Sequence, residues 1–162
     1  MKNTILAAIF MGSASLALTG CGDNGEDAAS VEESADVVAG IEISEASLML
    51  PPVAGNPAAI YFTLKNNSER NIAFRSAEVA NAGRAEIHDM MEWSGEMVMG
   101  ESPPIMVEVG GEVVFEPGGR HIMAFDLPAE FGPGDTTKVT LIAAGNRRHS
   151  FEVTAKAAGD DR

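Results

Sequence analysis

The sequence predicts an all-β domain, a sandwich or small barrel, on three observations. Short runs rich in β-branched and aromatic residues recur along the chain. Turn-forming pairs separate them, and no long stretch holds the 3.6-residue apolar period of a helix. The roughly 115 residues that carry the pattern suffice for one sandwich core.

The expected strands follow in order. Ile41–Leu50 opens the series and stops at Pro51-Pro52, since proline cannot donate to a sheet ladder. Ala59–Lys65 ends at Asn66-Asn67, and Ile72–Val79 follows. Arg84–Glu92 and Glu96–Gly100 flank Ser94-Gly95, a good two-residue hairpin loop. Ile105–Val109 lies between Pro103-Pro104 and Gly110-Gly111, and Glu112–Phe115 runs into Pro117-Gly118-Gly119. His121–Phe125, Lys138–Ala143 and His149–Thr154 complete the set, with Gly132-Pro133-Gly134 and Gly145-Asn146 as the last breaks. The expected core includes Ile43, Leu48, Ile60, Phe62, Leu64, Ile72, Phe74, Val114, Phe125, Val139, Leu141, Phe151 and Val153.

The N-terminus addresses the compartment. A basic start at Lys2, an apolar stretch from Ile5 to Leu18 and the small-residue run Leu18-Thr19-Gly20 lead into Cys21, the sole cysteine. That is the layout of a lipoprotein signal peptide over residues 1–20, cut before a lipidated Cys21. The stretch is too short for an ordinary membrane span. Acyl chains contribute about 0.8 kcal/mol per buried methylene, so a multiply acylated terminus stays on the membrane. Residues 21–39 are acidic, without a basic side chain, and read as a flexible tether spanning on the order of 25 Å. The β domain is expected over 40–156, with a short frayed tail at 157–162. The net charge of −13 argues against nucleic acid, which needs clustered Lys and Arg. Acylation of Cys21 leaves no thiol for disulfides, catalysis or thiolate metal binding.

The candidate chemistry lies in histidine and methionine. Seven methionines follow Cys21, six of them between Met90 and Met123, and two of the three histidines are His88 and His121. Centred on Ser94-Gly95, a hairpin pairs Trp93 with Glu96, Met91 with Val98 and Met90 with Met99. Paired residues share a face, as do residues two apart. His88, Met90, Met97 and Met99 therefore project together, with His88 and Met99 as diagonal neighbours. His121 and Met123 share a face on a later strand. If the start of that strand abuts the hairpin, two imidazoles and two thioethers converge. Such donors are soft and neutral and select Cu(I) over hard cations. The set lacks the thiolate of a blue-copper centre and the three hard ligands of a catalytic zinc site.

His88-x10-Met99-x21-His121-x-Met123 is the H-x10-M-x21-H-x-M signature of the PCu(A)C-type periplasmic copper chaperones, which this chain resembles from about Ile41 to Val153. Ala58–Asn66, Ala85–Met90 and Pro117–Met123 are similar to the family as well. The resemblance implies a cupredoxin-like, immunoglobulin-like Greek-key β-sandwich with a partly exposed Cu(I) site. It implies a periplasmic carrier, not an enzyme, delivering copper to the CuA centre of cytochrome c oxidase directly or through a Sco-type thiol protein. His88, Met99, His121 and Met123 match the four motif positions. Some members carry Met directly after the first histidine; here Asp89 stands there and Met90 next, an auxiliary ligand candidate. The tail has neither His nor Met, so no second site is expected there, and a lipid anchor departs from the many soluble members.

Other residues read more plainly. Met49, Met91 and Met106 are assigned to packing and His149 to the surface. Trp93, opposite His88, reads as a packing or turn-flanking aromatic. Glu86, Asp89 and Glu92 read as a solvated strand face. Copper sequestration and a metal-free structural lipoprotein remain as alternative functions.

Overall fold

Alternation of apolar and polar residues lets one β-sheet face close a core while the other meets water. The computed structural model describes residues 36–160 and realises that alternation in ten strands. These are β1 (Ile41–Met49), β2 (Ala58–Asn66), β3 (Ile72–Val79), β4 (Arg84–Trp93) and β5 (Glu96–Glu101). They continue with β6 (Ile105–Val107), β7 (Glu112–Phe115), β8 (His121–Phe125), β9 (Thr136–Ala143) and β10 (Arg147–Lys156). Among the described residues no helix is long and apolar enough to cross a membrane. The expected signal peptide, Cys21 and the tether up to residue 35 lie outside the described residues, as do the last two residues of the tail.

The strand order is β5-β4-β8-β2-β1-β10-β9-β3-β6, with β7 also pairing β2. Two antiparallel arrays, β5-β4-β8-β2-β1 and β10-β9-β3-β6, are joined by a short parallel pairing of β1 with β10. The path is open at β5 and β6, so the fold is a sandwich and not a closed barrel. Phe62 of β2 meets Phe151 of β10 with ring centroids 5.0 Å apart, which marks the interior between the arrays.

A bulge in β1 makes the join possible. Its register against β2 shifts between Ser44 and Ser47, at Glu45 with φ 54°. The extra residue inverts the side-chain parity, so Ile43 faces Leu64 and Leu48 faces Ile60 on the same inner side. Past the bulge, Leu48 and Met49 also pair with Ala155 and Lys156.

Leu48, Ile60, Phe62, Leu64, Ile72, Phe74, Val139, Leu141 and Val153 are buried as expected. Fully burying one such side chain contributes roughly 1.5–3 kcal/mol. Ile43 and Phe151 are partly buried against that cluster. Two expected core residues are elsewhere. Val114 is 44% exposed, because β7 sets Phe115, not Val114, opposite Phe62. The rings of Phe62 and Phe115 stack at 4.1 Å. Phe125 lies on the outer face of β8, with the Arg84 guanidinium 3.9 Å from its ring centroid. Ile87, Ile105, Val107 and Ile122 fill the core in addition.

Residues at the end of the expected tether pack on the domain. Val38 is buried, its amide donates to Nδ1 of His149 at 3.2 Å, and Asp36 pairs with Arg148 and Lys138. Gly40 is required where it stands: φ is +80°, and a Cβ there would sit 2.7 Å from Ser68 Cβ.

Candidate metal centre

The hairpin comes first. Ser94 (φ 55°) and Gly95 (φ 86°) both occupy the left-handed region, as a two-residue type I′ turn demands. That turn sets Trp93 opposite Glu96, Met91 opposite Val98 and Met90 opposite Met99. The expected register is the one observed, and β5 forms an edge of the sheet.

On its other side β4 pairs with β8, so that His88 faces His121 and Glu86 faces Met123. Ile87 and Ile122, the inward neighbours, are buried in the core. The other set therefore lies on the outer face. The imidazole centroids of His88 and His121 are 6.0 Å apart at 59°. Met99 stands one step from His88 toward the hairpin tip, on β5, and Met123 one step the other way, on β8. The thioethers thus flank the histidine pair from opposite sides. Met97 lies a further step out, opposite Glu92. Exposure falls along this stripe, from 61% at Met97 and 54% at Met99 to 7% at His121.

Hydrogen bonds select the ring nitrogens. Nδ1 of His121 donates to the Gly119 carbonyl at 2.9 Å, which leaves the Nε2 lone pair free. Nε2 of His88 donates to Oε2 of Glu86 at 2.9 Å, which leaves the lone pair on Nδ1. That Nδ1 is buried and has no hydrogen-bond partner. A buried lone pair without a partner is a standing energetic penalty unless something electrophilic fills it. The hydrogen bond from His88, with help from Arg84, holds the Glu86 carboxyl below the usual carboxylate range. Arg84 itself is fixed by Glu86 and by the Phe125 ring.

Glu86, which sequence reasoning assigned to a solvated face, instead accepts the hydrogen bond of His88. Its position two residues before His88 on one strand face is the signal, because imidazole ligands commonly lean on a carboxylate. Asp89 differs: it lies on the other face of β4 and pairs with Arg120. Among the described residues no group of three or more His, Cys, Asp or Glu side chains is placed to hold a metal.

Three further expectations are corrected. Met91 and Met106 are 38% and 59% exposed rather than packed in the core. Met91 reaches over Gly100 beyond the core's edge, where a Cβ on Gly100 would come within 3.0 Å of its methyl. His149 is buried, not on the surface, and burial lowers its pKa. Trp93, 74% exposed, flanks the turn without packing.

The chain belongs to the LpqE-like family, which it matches over residues 41–155. It is 29% identical over 105 residues to the uncharacterized protein RP573 of Rickettsia prowazekii (strain Madrid E). That match takes in 64% of this chain and 57% of the relative, so the chain spans little more than half of that protein. Among solved structures it shares the fold of the copper-bound PCuAC domain from PmoF2, with TM-score 0.60, 18% identity and coverage of 75% of this chain and 96% of that one. The apo PCuAC domain from PmoF1 gives TM-score 0.62, 20% identity and coverage of 75% and 97%. The Cu(I) form of DR1885 from Deinococcus radiodurans gives TM-score 0.56, 22% identity and coverage of 82% and 87%. At these identities the likeness concerns the fold, a cupredoxin-like β-sandwich.

Proposed function

We propose that this LpqE-like chain is an exported Cu(I) metallochaperone, held on the periplasmic side of a membrane by a lipid on Cys21. It carries Cu(I) as cargo between His88, His121, Met99 and Met123, with Met90 as an auxiliary ligand. One observation supports this above the others: His88 and His121 face each other across β4 and β8 with free lone pairs on Nδ1 and Nε2. The copper-bound PCuAC domain from PmoF2 and Cu(I)-DR1885, which share the fold, agree with a soft-metal site.

The chemistry suits a carrier and not an enzyme. Neutral imidazole and thioether donors hold a monovalent soft ion without charge that would resist its release. An acceptor offering thiolates binds Cu(I) more strongly, so the ion moves downhill by ligand exchange. The outer-face position lets an incoming ligand attach before a donor leaves. The acceptor we assign is the CuA subunit of cytochrome c oxidase or a Sco-type thiol protein. The anchor at Cys21 and the acidic tether confine this exchange to a membrane surface.

Anaerobic Cu(I) titration of the purified protein against a competing Cu(I) chelator tests the site. The expected result is one tight equivalent, weakened in each of His88→Ala, Met99→Ala, His121→Ala and Met123→Ala. A wild-type protein that never competes with the chelator would sink the copper reading. Transfer is tested by mixing the loaded protein with a thiol-bearing CuA domain. Copper retained by the donor would favour sequestration.

A further inference from the structure

We infer that Met90, Met97 and Met99 form a second, exposed Cu(I) site at the hairpin, which receives the ion and passes it to the histidine pair through Met99, a ligand common to both. The inference rests on the copper reading for its ion, while its residues are placed by the hairpin alone. Met90 lies directly opposite Met99, and Met97 is two residues from Met99 on the same strand. Direct cross-strand Cβ atoms sit about 4.5–5.5 Å apart and diagonal ones about 7–8 Å, within the span of two thioether side chains closing on one ion.

Packing does not explain Met97 and Met99, beside which Met90 is partly buried. Met97 and Met99 are more than half exposed on an edge strand. An exposed methionine stabilises little by burial, yet it presents its sulfur to solution. Three neutral sulfur donors form a set that takes Cu(I) and rejects hard cations. Glu92 faces Met97 and Glu101 faces His88 on the same side of the hairpin, so carboxylates raise the local cation concentration without being soft ligands. From Met97 inward, the donors become steadily less exposed until His121. An ion that lands at the tip can therefore move inward by exchanging one ligand at a time, gaining imidazole nitrogen at each step beyond Met99.

The test removes the inner site and watches the outer one. A His88→Ala/His121→Ala double variant, labelled with 13C at the methionine methyls, is titrated anaerobically with Cu(I). The methyl resonances of Met90, Met97 and Met99 should move together, while those of Met49, Met106 and Met123 stay. Adding Met97→Leu should weaken that binding by about tenfold, the loss of one soft donor of three. No movement in the double variant, or equal movement at the exposed Met106, overturns the inference. Should the double variant not fold, Met97→Leu alone is read in the wild-type background. There, loading from a Cu(I)–chelator complex should slow about tenfold while affinity for the first equivalent stays within about twofold, as expected for a receiving ligand outside the tight site. Unchanged loading overturns the inference. A wild-type protein with hairpin methyl shifts but no tight equivalent overturns the histidine site and supports this one.

Discussion

The two faces of the β4–β8–β2 array carry opposite chemistry on one backbone. Ile87, Ile122 and Ile60 line the inner face and are buried to within 4% of completely. Glu86, His88, His121 and Met123 line the outer face, each a single residue away from a core position. The inner face derives its stability from area removed from water and tolerates no polar atom without a partner. The outer face keeps the Met97 and Met99 thioethers in reach of solution and holds the His88 Nδ1 lone pair beneath the surface without a partner. Because the side-chain period is two, the register that closes the core is the register that lines up the residues of the proposed site. A site built this way needs no loop to position it and inherits the rigidity of the sheet.

The sharpest way to break the comparison is to attack each face alone. Phe62→Ala removes the ring between Phe115 and Phe151 and is expected to destabilise the domain by about 3–5 kcal/mol. Urea unfolding measures it, and the fraction that stays folded should bind Cu(I) as before. A glycine inserted after Gly95 should shift β5 by one residue and turn Met99 away from His88. Cu(I) affinity then falls by at least about a hundredfold, since a donor is lost with its register. The core strands, distant from the turn, keep their unfolding midpoint.

Smaller effects sharpen the same contrast. His121→Ala should lower Cu(I) affinity by about a hundredfold in the chelator competition, yet change stability by only about 1 kcal/mol, one hydrogen bond to Gly119. Glu86→Ala should weaken Cu(I) binding by about 10- to 100-fold, as supporting carboxylates do elsewhere. Its separate signature is the 15N spectrum of His88. The wild type should carry its proton on Nε2, the alanine variant should lose that preference, and Glu86→Gln should retain it through the amide oxygen.

The smallest effect is on stability against pH and belongs to the interior. Burial lowers the His149 pKa below its unfolded value near 6.5. Between the two values the unfolded chain binds more protons, so stability rises with pH there. The contribution is complete above about pH 6.5 and is lost as pH falls toward the folded value. The His149→Gln variant should flatten that part of the stability profile, with Cu(I) affinity at neutral pH unchanged. A wild-type profile already flat just below pH 6.5 would show that His149 binds protons alike in the folded and unfolded states.

Much of the fold was legible because the strand signals are local. Ile72–Val79, Glu112–Phe115 and His121–Phe125 match the expected bounds, and Ser94-Gly95 carried the hairpin register. Parity was less legible where two apolar residues are adjacent. Val113, Val114 and Phe115 offer either face to the core, and stacking of Phe115 on Phe62 decides it. His149 illustrates another limit. Its neighbours Arg147 and Arg148 suggest surface, but Val38 and Asp36 cover the strand from more than a hundred residues away.

What the sequence by itself determined is the set of donors and the hairpin that orders three of them, because turn chemistry and a period of two act over a few residues. Only the tertiary structure decided that β8 lies against β4 and sets His121 across from His88, thirty-three positions apart in the chain. Local propensity has no say in such a pairing: it is chosen by burying Ile87 and Ile122 together in one core. Glu86 belongs to the local part: two residues before His88 on the same face of β4, it accepts from His88 Nε2 and so decides which nitrogen is left free.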